Sequence, residues 1–299
     1  MLPLRHASFL VAIILIYLSR IGDLAAHEFW IEPVDFTPSE GAKIVANLKN
    51  GENHKGNSLP FLTSQFEQFT LEDAFGSTAI DSRLGDVPAV SLIAQLPGFA
   101  VLAYESKAKT LRYEKFSKFE SFVTKEGIEW VLDEHKREKL PTAHIAEVYF
   151  RYAKSLLLVS ADTDAGGGSV EPRQDKYLGM PLELVMLDNP YFKKKFTKTV
   201  TKESSVKNVN VDAEEIVPMQ IQVLFEGKPL ENVQISIFEK SNGLIDRRRT
   251  DERGVLVWNF ESGSYLLNAV HAIRPSKELV TQTGALWQTL WASTTFLVP

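Results

Sequence analysis

The chain has six histidines and no cysteine. Metal chemistry therefore rests on imidazole and carboxylate, and thiolate sites, cysteine nucleophiles and disulfides are excluded. One histidine stands out by position. In "LAAHEFWIEP", His27 directly follows Ala25 and Ala26, where a signal peptidase would cut. A mature chain starting at His27 carries a free amine and an imidazole on one residue, which together close a five- or six-membered chelate ring. The amine, with a reference pKa of about 8, must lose its proton, which copper(II) or nickel(II) can drive near neutral pH. Nitrogen donors in a planar arrangement suit those two ions, with copper highest in general affinity. Affinity is expected to fall below about pH 6 because the donors must be deprotonated.

A tight site needs another ligand. His271, near the end of "SYLLNAVHAI" and just before "RPSKE", is the first candidate, because a strand-end histidine can face the opening of a sandwich. His54 in "NGENHKGNS" reads as an exposed loop residue, a weaker candidate. His144 is also weaker; it lies three residues before Glu147, on one face if the segment is helical. His135 in "DEHKREK" reads as part of a solvated helix face. Strand alternation points Glu28 and Glu32 away from His27. Other motifs fail on context. "GENHKGNS" has Asn57 where a phosphate loop needs lysine, "AGGGS" lacks a strand-to-helix setting, and "ESGSY" is no nucleophile elbow. Arg247 to Arg249 read as a solvated hairpin edge, and Asp212, Glu214 and Glu215 as solubilising linker charge.

These residues must be delivered by an exported chain. "MLPLRHASFLVAIILIYLSRIGDLAA" has a basic start, an apolar run and a small-residue end, the pattern of a signal peptide over residues 1–26. The run "SFLVAIILIYL" is shorter than the roughly 20 residues of a comfortable membrane span, although an uncleaved anchor is the alternative. The expected location is periplasmic or secreted. The composition of the full sequence is that of a globular protein, 44% hydrophobic and 24% charged with a net charge of −5, and offers no basic surface for nucleic acid.

Short alternating segments punctuated by Gly, Pro and Asn predict a mainly β protein of two β-sandwiches. "HEFWIEPVDF" is the first strand, with His27, Phe29 and Ile31 on one face. "AKIVANLKNG" is the second, ending at an Asn-Gly turn. Residues 27–205 form the expected N-terminal sandwich, with a helical insertion over about 112–155, where Phe116, Phe119 and Val123 have helical spacing. Gly127 separates two short helices, and "HIAEVYFRYAKSLLLVS" passes from helix to strand. "DTDAGGGSVEPRQD" is a loop, and the lysine-rich "FKKKFTKTVTKESSVKNVNVDAEE" a linker. Residues 215–299 form the expected second sandwich.

"GKPLENVQISIF…TDERGVLVWNFESGSYLLNAVH" resembles the transthyretin-like, or carboxypeptidase-regulatory-like, β-sandwich pattern. "AHEFWIEP", "KFESFVTKEG", "YFRYAKSLLLV", "LELVMLDNPY" and "LWASTTF" resemble the NikM-like family of exported proteins, over nearly all of the mature chain. That family is labelled a periplasmic component of cobalt or nickel transport, or a domain of unknown function. The resemblance implies a transition-metal ion, nickel or cobalt, as ligand, beside the copper or nickel that the His27 chelate suits, and a membrane transporter component as partner. The residues alone leave three readings open: a metal-binding or metal-delivery protein, a copper enzyme with a histidine brace of His27 and His271, and a metal-free structural or adhesion module. No nucleophile, acid/base pair or cofactor motif favours the enzyme.

Overall fold

The computed structural model describes residues 27–161, 174–192 and 217–299. The expected leader, the glycine-rich loop and most of the lysine-rich linker lie outside these. The protein is mainly β. Its strands are β1 (Glu28–Pro33), β2 (Lys43–Glu52), β3 (Lys55–Leu59), β4 (Phe66–Asp73), β5 (Gly76–Ala79), β6 (Val90–Ile93), β7 (Gly98–Ser106), β8 (Lys109–Tyr113), β9 (Ile145–Val159) and β10 (Leu182–Met186). They continue as β11 (Val217–Phe225), β12 (Lys228–Pro229), β13 (Gln234–Glu239), β14 (Gly243–Arg249), β15 (Val255–Phe260), β16 (Gly263–Ile273) and β17 (Trp287–Val298). Three short helices, α1 (Phe116–Lys125), α2 (Trp130–Arg137) and α3 (Lys277–Thr283), complete the described chain.

A nine-stranded sheet runs β14-β13-β16-β17-β9-β7-β4-β5, with β8 pairing the first part of β9. The expected boundary near 205–215 falls outside the described residues, and the large sheet includes strands from both sides of it. The join is β17 against β9, the one parallel strand pair among the described residues. Its two ends are guarded against edge pairing, by the short exposed β5 and by the arginine-bearing β14.

Two four-stranded sheets cover this large one, and β17 shows how. Successive side chains of a strand point to opposite faces. Ser293 and Thr295 donate to the carbonyls of Phe29 and Ile31 in β1, at 2.7 and 2.6 Å, while Thr294 between them donates to Leu184 of β10, at 3.4 Å. One small sheet (β1, β2, β3 and β6) therefore lies on one face, and the other (β10, β11, β12 and β15) on the opposite face. A single apolar core, from Phe29 and Leu102 to Ile221 and Phe296, runs through both interfaces.

The helices occupy less than the predicted insertion, and 145–159 is strand throughout. In α1 Phe119, Phe122 and Val123 are buried at helical spacing, and Phe122 stacks on Trp291 of β17 at 5.8 Å. Gly127 ends this helix region with φ +71°, and a Cβ there would lie 2.7 Å from Gln234. The second strand also differs from expectation. It continues through Asn50-Gly51, and the turn falls at Asn53-His54, both with positive φ, the geometry of a tight hairpin.

Candidate functional site

The antiparallel register of β1 with β2, Glu28 opposite Gly51, carries His27 alongside Glu52. His27 Nδ1 lies 3.5 Å from Glu52 Oε1 yet is buried with no hydrogen-bond partner. The His27 carbonyl accepts a hydrogen bond from Arg151 Nη2 at 3.1 Å, which fixes the first turn of backbone before β1. Lys125, at the end of α1, enters from the helix side. Its ammonium lies 3.1 Å from Glu52 Oε1, 3.3 Å from Glu28 Oε1 and 3.8 Å from Glu126 Oε1.

Three carboxylates thus surround one ammonium beside the His27 ring. Burial lifts the Glu28 carboxyl above its ordinary range, against the pull of Lys125. Burial likewise pushes Glu126 up to about 7, with Lys125 opposing and Glu28 adding. The hydrogen bond from Lys125 holds half-exposed Glu52 low. Glu28 therefore belongs to the cluster, although simple alternation pointed it away. Trp30, two residues along on the same face of β1, is also fully buried, as are Phe29 and Ile31 on the other, so β1 has no solvent face. Among the described residues no group of three or more His, Asp or Glu side chains is arranged to hold a metal ion, and here an ammonium stands at the centre.

The other histidines lie elsewhere. His271 is opposite Leu290 and half-buried, with its ring 4.9 Å from that of Phe225 in β11. Burial lowers its pKa. Phe225 belongs to the sheet on the face away from β1, so the large sheet separates His271 from His27. The structure does not bring the two together, and a brace of His27 with His271 is not formed.

His54 is buried rather than exposed, edge-on to Trp30 at 5.6 Å, and burial lowers its pKa to about 4. Its Nδ1 has no partner. His144 is exposed with φ 53°, outside any helix, and its Nδ1 meets Glu114 Oε2 at 2.6 Å instead of pairing with Glu147. His135 is on α2 as expected, but buried. Its Nδ1 accepts from Trp287 Nε1 at 3.1 Å, and its Nε2 meets the Pro141 carbonyl at 2.9 Å.

Sequence reasoning passed over two residues of β9, Arg151 and Lys154. Lys154 points to the β10 face and is held by Asp175 and Glu183. Arg151 points to the β1 face. The available signal was two cations inside an apolar run, since a strand buried on both faces must give each cation a partner.

The chain belongs to the family described as a domain of unknown function, DUF4198, whose match spans residues 24–273. No curated protein matches it. Among solved structures, it is similar to one titled "D0-D1 domain of Intimin" at 10% identity and a TM-score of 0.19, covering 89% of this chain and 97% of that one. It is also similar to a tetra-tandem repeat in the extending region of a large adhesion protein, at 8% identity and a TM-score of 0.18, covering 93% of this chain and 51% of that one. Neither superposition is close enough to carry an argument about fold or function.

Proposed function

We propose that the mature chain begins at His27 after export and binds one copper(II) or nickel(II) ion there, as a metal-binding or metal-delivery protein that hands the ion to a membrane transporter component. One observation carries this reading: His27 Nδ1 is buried without a hydrogen bond and lies 3.5 Å from a carboxylate oxygen of Glu52. Buried polar atoms without partners are uncommon and ask for an explanation. Cleavage after Ala26 would supply a terminal amine on the same residue. The donors are then the amine, Nδ1 and the Glu52 carboxylate, with Glu52 in the place that His271 was expected to fill. A chelating terminus held by strand pairing loses less freedom per bond than separate side chains do. The resemblance to NikM-like proteins agrees with nickel or cobalt as cargo.

A metal-free reading rests on Lys125, whose ammonium already neutralises Glu52 and Glu28. Calorimetric titration of the metal-stripped mature protein, with copper(II) spectroscopy alongside, separates the two. Metal binding predicts one site, weakened at least about ten-fold when a single alanine is placed before His27, and weakened by Glu52→Gln. His271→Ala should leave affinity unchanged. If the alanine extension changes nothing, or the wild type binds no tighter than a surface histidine, the metal reading fails and His27 only begins a strand.

A further inference from the structure

A cavity of about 280 Å³ lies beneath β1 between the β2–β3 hairpin, β4, β7 and β9. Its apolar walls include Phe29, Leu48 and Phe66, and its charged groups are Arg151 and Lys109. Arg151 is only 7% exposed. Its guanidinium lies over the rings of Phe29 and Tyr149, at 5.4 and 5.2 Å, and spends one donor on the His27 carbonyl. Its Nε is buried with no partner. A guanidinium has five N–H donors, so most of its capacity is unassigned.

No carboxylate among the described residues pairs with Arg151. Glu105, on the neighbouring β7, is opposite Tyr152 and so projects to the other face of the sheet. The other charge lining the cavity is of the same sign. Lys109 lines the same cavity and, among the described residues, hydrogen-bonds to the neutral Gln65 side chain. Burial lowers the pKa of both cations, and the Arg151 charge lowers that of Lys109 further. Buried charges are normally paired, because taking an ion out of water is costly unless a counter-charge meets it. Arg151 is buried without a counter-charge and Lys109 half-buried beside the same pocket, which leaves room for an anion that the protein does not itself supply.

We infer that this pocket binds a small organic carboxylate with an apolar body, its carboxylate on Arg151 and Lys109 and its body against Phe29, Leu48 and Phe66. The guanidinium fork matches a carboxylate in two parallel hydrogen bonds. The apolar walls favour an acid with a hydrocarbon part over a fully hydrated inorganic anion. The volume sits at the low end of small-molecule sites, roughly 300–1,000 Å³, which suits a single ring or a short chain. The inference is independent of metal binding at His27, since the two sites share only the hydrogen bond to that carbonyl.

The test is calorimetric titration of the metal-stripped mature protein with benzoate and with hexanoate, against benzyl alcohol and inorganic phosphate as controls. Both acids should saturate one site, and both controls should bind at least about ten-fold more weakly. Arg151→Met should abolish acid binding and leave Tm unchanged or raised, because it removes an unpaired buried charge. Arg151→Lys should keep the charge, lose the fork and weaken binding. Failure of both acids to saturate by about 10 mM overturns the inference, and so does phosphate binding as tightly as benzoate. A large fall in Tm for Arg151→Met with acid binding intact also overturns it, leaving the guanidinium a structural clamp. Should Arg151→Met not fold, Lys109→Met decides: it must weaken acid binding several-fold, and unchanged affinity ends the proposal.

Discussion

Replacing Lys154 with methionine is the sharpest probe of how β9 is held. The ammonium is 1% exposed and lies 2.7 Å from Asp175 Oδ2 and 3.0 Å from Glu183 Oε1. Methionine keeps the packing volume and removes the charge, leaving two adjacent buried carboxylates. Breaking a buried pair by deleting one partner costs about 3–5 kcal/mol. The lower end applies here, because each carboxylate keeps amide donors. Glu183 accepts from the Leu178 and Met180 amides, at 2.9 and 3.2 Å, and Asp175 from those of Lys176 and Met186, at 2.9 and 3.0 Å. The expected loss near pH 8 is therefore about 3 kcal/mol, which lowers Tm by roughly 6–12 °C.

The pH dependence gives a second check. Burial already raises the Glu183 carboxyl against the pull of Lys154, and with the ammonium gone Glu183 holds its proton to higher pH still in the folded state. A group with a raised folded pKa stabilises below its unfolded value and loses that contribution as pH rises. The deficit of Lys154→Met should thus shrink at pH 5 relative to pH 8. Urea denaturation of both proteins at the two values measures it. A variant within about 1 kcal/mol of wild type at both pH values would refute the view that this triad anchors the segment before β10.

Glu147 gives a pH effect of its own. It is fully buried, accepting from the hydroxyls of Tyr113 and Thr289, and burial pushes its pKa up to about 7. Its contribution is full below the unfolded value of 4.5 and is lost as pH rises to about 7, so Glu147→Gln should gain about 2–3 kcal/mol on wild type between pH 5 and pH 8. Parallel urea-stability profiles for the two proteins would contradict this. Gly56→Ala tests the hairpin beside Trp30. A Cβ there would lie 2.8 Å from the Trp30 ring and 2.5 Å from the Asn50 carbonyl, so overpacking should cost about 1–3 kcal/mol. An unchanged denaturant midpoint would show that the ring moves freely.

Most strands were legible because alternation and turn residues report local geometry. The failures came where a distant partner decides. "HIAEVYF" contains Ala and Glu, which favour helix, but β8 and β17 flank it on both sides and make it strand. His135 sits among Lys, Arg and Glu and reads as solvated, yet its partner Trp287 is 152 residues away. His54 reads as loop because its neighbours are polar, and only the hairpin turn folds it onto Trp30. His271 was placed correctly at the end of a strand. Which face it took depended on which small sheet covered that face, and no local pattern encodes that. For His27 the local signal was its place directly after Ala25 and Ala26, while the side chains around it, Lys125 and Arg151, come from α1 and β9.

The placement of β1 has a consequence for when the candidate site forms. Its carbonyls at Phe29 and Ile31 are held by Ser293 and Thr295, each 264 residues further along the chain. Such distant contacts form late, after the loop-closure entropy between them has been overcome. The hairpin of β2 and β3 and the sheet around β7 and β9 rest on nearer contacts and need not wait. So the segment carrying His27 docks fully only once β17 has been laid against β9. The His27 ring therefore meets Glu52 only after that docking.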